Sequence, residues 1–203
     1  MEIEIKDLEK KDYNKARKYA IKGMNLSRYT ENKIELYFYS KYFLYLELLR
    51  ATQLLGAYME SELVGVLLAD INGKPKKVKS IWYNIYVAFV KTIMNIGYKA
   101  SADVYDRIND EMLKRFKNNN NPDGELIFFA VNPKITGKGI GTLLLDEFEN
   151  REKGKHIYLY TDSACTYQFY DKRGFTREEE QEIEINIHNK EKKLTCFMYS
   201  KKL

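Results

Sequence analysis

The chain has 203 residues, of which 44% are hydrophobic and 31% charged, and a net charge of +5. That balance excludes a disordered chain and fits a single globular domain, long enough to bury a core without disulfides or metal. The charge is spread among alternating lysines and acids, and the densest basic cluster, Lys74, Lys76, Lys77 and Lys79, reads as a solvated loop, so no nucleic-acid partner is expected. Cys165 and Cys196 show no disulfide pattern, and with His156 and His188 as the only histidines no metal site is expected. Met1 to Lys11 lacks the apolar stretch of a signal peptide, which places the protein in a reducing cytoplasm.

In chain order, Glu2 to Lys6 alternates as a short strand, and a helix capped by Asp7 or Asp12 follows to about Gly23. Lys33 to Arg50 is a second helix, with Leu36, Phe43, Leu44 and Leu48 on its apolar side. Leu54 to Glu60 and Glu62 to Ile71 form an antiparallel hairpin that ends at Asn72-Gly73-Lys74-Pro75. Residues 76 to 117 are helical in two pieces that part near Gly97 to Ala102. The first piece contains the apolar stretch Ile81 to Tyr98, interrupted by Asn84, Lys91, Asn95 and Gly97. A central lysine costs ~3 kcal/mol in a bilayer, so the stretch reads as a buried helix and no stable membrane insertion is expected.

After the turn cluster Asn118 to Gly124, Glu125 to Val131 is a strand buried on both faces and stopped by Pro133. An amphipathic helix from Gly139 to about Lys153 follows, with Ile140, Leu143, Leu144 and Phe148 inside. His156 to Thr161 is a strand, parallel to the previous one across this crossover. A short helix, Ala164 to Lys172, stops at Gly174. Glu182 to Ile187 and Lys193 to Ser200 close the chain as a hairpin.

Chemistry concentrates in Val131 to Leu145, where a buried strand ends, a loop with Gly137, Gly139 and Gly141 follows, and a helix starts from the glycines. Unpaired amides at a helix N-terminus form an anion site, and glycines let the backbone approach a pyrophosphate. The Gly-Lys-Ser/Thr of a P-loop is absent, and Thr142 breaks the Rossmann pattern begun by Gly137-Lys138-Gly139.

Two motifs together resemble the GNAT (GCN5-related) N-acetyltransferase family. Thr136-Gly137-Lys138-Gly139-Ile140-Gly141, after Val131-Asn132-Pro133, is similar to its Gln/Arg-x-x-Gly-x-Gly/Ala signature. Phe169-Tyr170-Asp171-Lys172-Arg173-Gly174-Phe175 is similar to its second, Phe/Leu-Tyr-x-x-x-Gly-Phe. The resemblance implies a mixed α/β fold with a central mixed sheet flanked by helices. It also implies an acetyl-CoA co-substrate and transfer to a primary amine, of a small molecule or a peptide, by direct attack. Coenzyme contacts are implied at Phe129, Ala130 and Val131, where backbone amides would polarise the thioester carbonyl, and at Thr136 to Thr142. Thr136 stands where the family carries Gln or Arg, and Ser163 where it often carries Asn. Tyr170 is implied as the acid that protonates the thiolate, since a tyrosine titrates at about 10 and a thiol at ~8.5. Glu125, at the start of the central strand, is implied as the base that draws a proton from the amine. A non-catalytic acetyl-CoA sensor and a protein-interaction module are the alternative readings on the same fold.

The pattern is one domain, 1 to 203, with a helical insertion at about 72 to 123. Roughly fifty residues between two strands are uncommon unless they are functional or structured. The insertion is expected to wall the acceptor pocket, with Trp82, Tyr83, Tyr86, Phe89 and Tyr98 as apolar faces and Asp103, Asp106 or Asp110 attracting a cationic amine. The same helices leave a homodimer contact open.

Overall fold

A seven-stranded sheet organises the computed structural model, which describes residues 2–28, 30, 32–97, 102–135, 137–187 and 190–203. The elements are β1 (Ile3–Asp7), α1 (Tyr13–Gly23), α2 (Lys33–Arg50), β2 (Gln53–Met59), β3 (Glu62–Ile71), α3 (Ile81–Gly97), α4 (Ala102–Lys117), β4 (Gly124–Val131), α5 (Ile140–Arg151), β5 (His156–Asp162), α6 (Gln168–Lys172), β6 (Thr176–Ile187) and β7 (Lys190–Lys202). The sheet order is β1-β2-β3-β4-β5-β7-β6. All neighbours are antiparallel except β4 and β5, which α5 joins as a crossover. This is the mixed α/β architecture expected.

Side-chain alternation sorts the core onto two faces. Ala16, Ala20, Leu44 and Leu48 of α1 and α2 pack against Leu54, Tyr58, Leu68 and Phe128. On the opposite face Ile140, Leu144, Leu145 and Phe148 of α5 meet Leu55, Leu67, Leu126 and Ile157. The insertion divides. Helix α3 lies along α2, with Tyr83 stacked on Tyr45 at 3.9 Å between ring centroids. Helix α4 covers the far half of the sheet, where Ile108, Met112 and Phe116 pack on Tyr158, Cys196 and Met198. Since Ile157 and Leu159 face α5, Tyr158 and therefore α4 lie on the side of α2.

The central strands set the site. Leu68 faces Phe128 while Ala69 faces Leu126, so Ile127 is an extra residue, a bulge that bends β4. Strands β4 and β5 pair only at Gly124–Ile157 and Glu125–Tyr158, and then part.

Three expectations shift. Helix α6 starts at Gln168 rather than Ala164, because the Asp162 carboxylate accepts from the Ala164 N–H at 2.8 Å and the Asp162 carbonyl from the Cys165 N–H at 3.0 Å, which holds a turn first. The last hairpin extends to Thr176 and Lys202, since the acidic run Glu178-Glu179-Glu180 lies in the edge strand β6, where charge is tolerated. Helix α3 is covered on one side only, with Ile81, Trp82, Ile85, Phe89 and Ile93 exposed, so it is not the buried helix expected. Among the described residues no helix is long and apolar enough to cross a membrane.

Candidate active site

The glycine loop leads into α5. Gly137 and Gly139 have φ of 71° and 68°, a region where side chains are strained, and a Cβ on either would meet nothing within 4 Å. Gly137, Lys138 and Gly139 are exposed, so the loop presents an open backbone surface. The amides of Ile140, Gly141 and Thr142 open the helix and have no preceding turn to bond. Ile140 itself is core, so only its backbone faces the loop. A Cβ on Gly141 would lie 3.5 Å from the Phe169 ring and 3.6 Å from Phe129. Thr136 lies outside the described residues.

Beyond Glu125 the β5-facing edge of β4 has no strand partner. The Asn132 N–H donates to the Val64 carbonyl on β3, at 2.8 Å. By the two-residue alternation Ala130 also turns its N–H to β3, while Phe129 and Val131 turn theirs into the gap. Two of the three expected backbone positions, Phe129 and Val131, thus carry donors that face the gap.

On the other wall, α6 carries Tyr170 into the same cleft. Its ring sits among Phe169, Phe175 and Tyr199, at centroid distances of 5.6, 5.5 and 5.8 Å. Burial pushes its hydroxyl well above the usual tyrosine range, so it stays protonated at any working pH. Ser163 is occupied at the end of β5, where its hydroxyl accepts from the Thr195 N–H at 3.1 Å and its N–H donates to the Thr195 carbonyl at 2.9 Å.

The cleft has a volume of about 1870 Å³ and runs from Gly141 to the point where β4 and β5 meet. Its upper walls come from α2, α3 and α4, through Tyr42, Glu47, Val90, Met94, Asp106 and Asp110. Of the expected aromatic faces, Phe89 lines it, Tyr83 and Tyr86 pack against Tyr45 of α2, and Trp82 points to solvent. Tyr98 and the Asp103 side chain lie outside the described residues.

At the apex Glu125 meets partners that the sequence motif does not show. Its Oε2 accepts from Arg50 Nη2 at 2.5 Å and from the Tyr158 hydroxyl at 3.3 Å. Arg50 Nη1 also reaches Glu47 Oε2 at 3.5 Å. Burial raises Glu47 to about 8; Arg50 opposes the shift, and Glu125, Asp70 and Asp106 add to it. The signal for Glu47 in the sequence is its position three residues after Leu44 and next to Leu48, on the inward side of an amphipathic helix. Among the described residues there is no group of acids, histidines and cysteines that could hold a metal ion.

Residues 96–177 match the model of the acetyltransferase (GNAT) domain. No curated protein matches the chain in sequence. Solved structures match over the whole chain. The PaiA N-acetyltransferase of Thermoplasma acidophilum, in complex with coenzyme A, is 19% identical over 100% of both chains, with a TM-score of 0.55. A histone acetyltransferase HPA2 and related acetyltransferase from Corynebacterium glutamicum is 16% identical over 98% of this chain and 96% of its own, at 0.57. Arabidopsis thaliana NAA60, in complex with a bisubstrate analogue, is 12% identical over 98% and 97%, also at 0.57. With the glycine loop, the parted strands and Tyr170 in one cleft, the chain has the fold of the GNAT acetyltransferases, and its residues 96–177 match the model of their domain.

Proposed function

We propose that the chain is an acetyl-CoA-dependent N-acetyltransferase that moves the acetyl group to a primary amine by direct attack. The observation that carries this reading is the parting of β4 from β5 beyond Glu125 and Tyr158. The gap has amide donors on one wall and Tyr170 on the other.

In this reading the pyrophosphate lies on the loop Gly137 to Thr142, and the pantetheine arm enters between the strands. The amides of Phe129 and Val131 hold the thioester oxygen as it gains charge. The amine, of a small molecule or a peptide, enters the opposite mouth between α2, α3 and α4. The Arg50-bridged carboxylates at the apex, Glu125 among them, take up the ammonium proton. The nitrogen then attacks the carbonyl carbon, the C–S bond breaks with its electron pair on sulfur, and the Tyr170 hydroxyl protonates the thiolate. Acetyl-CoA is a cytoplasmic metabolite, and the reading places the enzyme in the cytoplasm.

A panel of primary amines, followed by release of free thiol from acetyl-CoA, tests the proposal. At least one cationic amine should release thiol well above the rate of water alone. Tight acetyl-CoA binding with no amine-dependent release would leave a coenzyme-binding module instead.

A further inference from the structure

We infer that Glu47 on α2 is the carboxylate that takes the proton from the acceptor amine, and that Arg50 and Glu125 position it. The inference rests on the acetyltransferase reading of the cleft and assigns a residue within it.

Helix α2 runs antiparallel to β4 across the cleft. The ring of Phe43 meets Phe128 edge-on at 5.6 Å, and Arg50 reaches Glu125. Glu47 lies between these two anchors. At 1.5 Å of rise per residue it stands ~4.5 Å nearer the Phe128 end than Arg50 does. That end leads to the amides of Phe129 and Val131 and to the thioester. Glu125 lies at the far tip, where β4 and β5 still pair.

Occupancy separates the two acids as well. One oxygen of Glu125 already accepts from Arg50 at 2.5 Å and from Tyr158 at 3.3 Å. Glu47 has the longer contact with Arg50, at 3.5 Å, lines the cleft, and is only 6% exposed. Two carboxylates share one guanidinium, so once Glu47 has ionised the apex has a negative charge in excess, and an arriving ammonium supplies the missing cation. The charged and titratable groups that act on Glu47 or feel it are Arg50 and Tyr42 on its own helix, Glu125 on β4, Asp70 on β3 and Asp106 on α4. A buried carboxyl raised to about 8 is a stronger base than an exposed one and stands closer to an amine at about 10.

The protons balance. One passes from the ammonium to Glu47, which frees the lone pair with which the nitrogen attacks. The proton still on that nitrogen replaces the one Tyr170 gives to the thiolate. Glu47 then releases its own to solvent, which is the single proton produced in amide formation from an ammonium and a thioester.

The test compares wild type, Glu47→Gln, Glu47→Asp and Glu125→Gln for acetyl-CoA affinity and for kcat/KM between pH 6 and 10, with the best amine of the thiol-release panel. Acetyl-CoA affinity should stay within about twofold in all four. Wild type should rise through a limb near 8 and level before the ammonium loses its proton. Glu47→Gln should lose ~10²-fold in kcat and climb without that limb until the amine itself is neutral. Glu47→Asp should recover part of the rate and keep a limb, while Glu125→Gln should keep the limb at a reduced rate. A limb that survives Glu47→Gln, or vanishes only in Glu125→Gln, overturns the assignment and leaves the acetyltransferase standing. Wild type that binds acetyl-CoA but acetylates no amine overturns both.

Discussion

Tyr170 and Gly141 both line the cleft, and the fold should tolerate a change at either. Tyr170→Phe keeps the ring among Phe169, Phe175 and Tyr199 and removes only the acid. Turnover should fall ~10²-fold with acetyl-CoA affinity little changed, and steady-state kinetics beside calorimetry checks both. In the glycine loop, position 139 is a poor probe, since its φ of 68° would strain any side chain. Gly141 has ordinary helical geometry, and its first added carbon would sit 3.5 Å from Phe169. Gly141→Val should therefore keep the fold, crowd Phe129 and Phe169, and weaken acetyl-CoA at least tenfold by calorimetry. Glu47 gives a prediction without a substrate. Its folded pKa, about 8, lies above the value near 4.3 of an unfolded glutamate, so the folded state holds the proton more tightly. The stability this confers is complete below pH 4 and is lost as pH rises through 8. Glu47→Gln removes that loss, so thermal melts should show the variant gaining on wild type between pH 5 and 9. A constant difference across that range would mean that Glu47 is already ionised in the folded protein.

The two helices of the insertion do different work, although the sequence presents them as one unit. The spacing of Val104, Ile108, Met112 and Phe116 shows that α4 has an apolar stripe, and the structure supplies its target, the surface made by Tyr158, Cys196 and Met198. Removing residues 76 to 120 would uncover that surface, so excision is not a clean test of specificity. Met112 is fully buried there, and Met112→Ala should cost ~2–5 kcal/mol, read as a lower denaturation midpoint. The acceptor wall is better tested at its polar positions. Asp106 and Asp110 face the cleft from α4, one turn apart. Changing both to Asn should raise KM for a cationic amine several-fold with kcat nearly constant, and the effect should shrink as salt is added, as for attraction between solvated charges. Equal KM values would return the two acids to the role of a solvated helix face.

At the scale of the whole molecule, the sequence showed what local chemistry encodes. The glycine loop, the Tyr170 helix and the parallel β4–α5–β5 unit could be read from residues 125 to 175 because turn glycines and periodic apolar residues act over short spans. The ion pair between Arg50 and Glu125, 75 residues apart, had no such signature. It exists because α2 crosses the tip of β4, and single-helix periodicity does not report which strand a helix crosses. The placement of β7 between β5 and β6 was hidden for the same reason. The resulting sheet is two halves whose strands pair over a short length, although α5 and one buried core span both. Strands β1 to β4 meet β5, β7 and β6 through two residue pairs, with the Arg50–Glu125–Tyr158 contacts beside them and the Asn25 amide donating to the Ala164 carbonyl at 2.8 Å across the mouth. In the proposed reading, a pantetheine arm between the halves would supply backbone partners that the strands do not give each other. Acetyl-CoA at one hundred times its Kd should stabilise the protein by about 2.7 kcal/mol and raise Tm by roughly 5–10 °C. The gain should be uneven along β4. Phe129 and Val131 turn their amides into the gap, so their hydrogen exchange should slow most on binding, whereas Ala130, already bonded to β3, should change only with the global stability. If all three amides slow equally, the coenzyme stabilises the domain from elsewhere and the arm does not lie along β4.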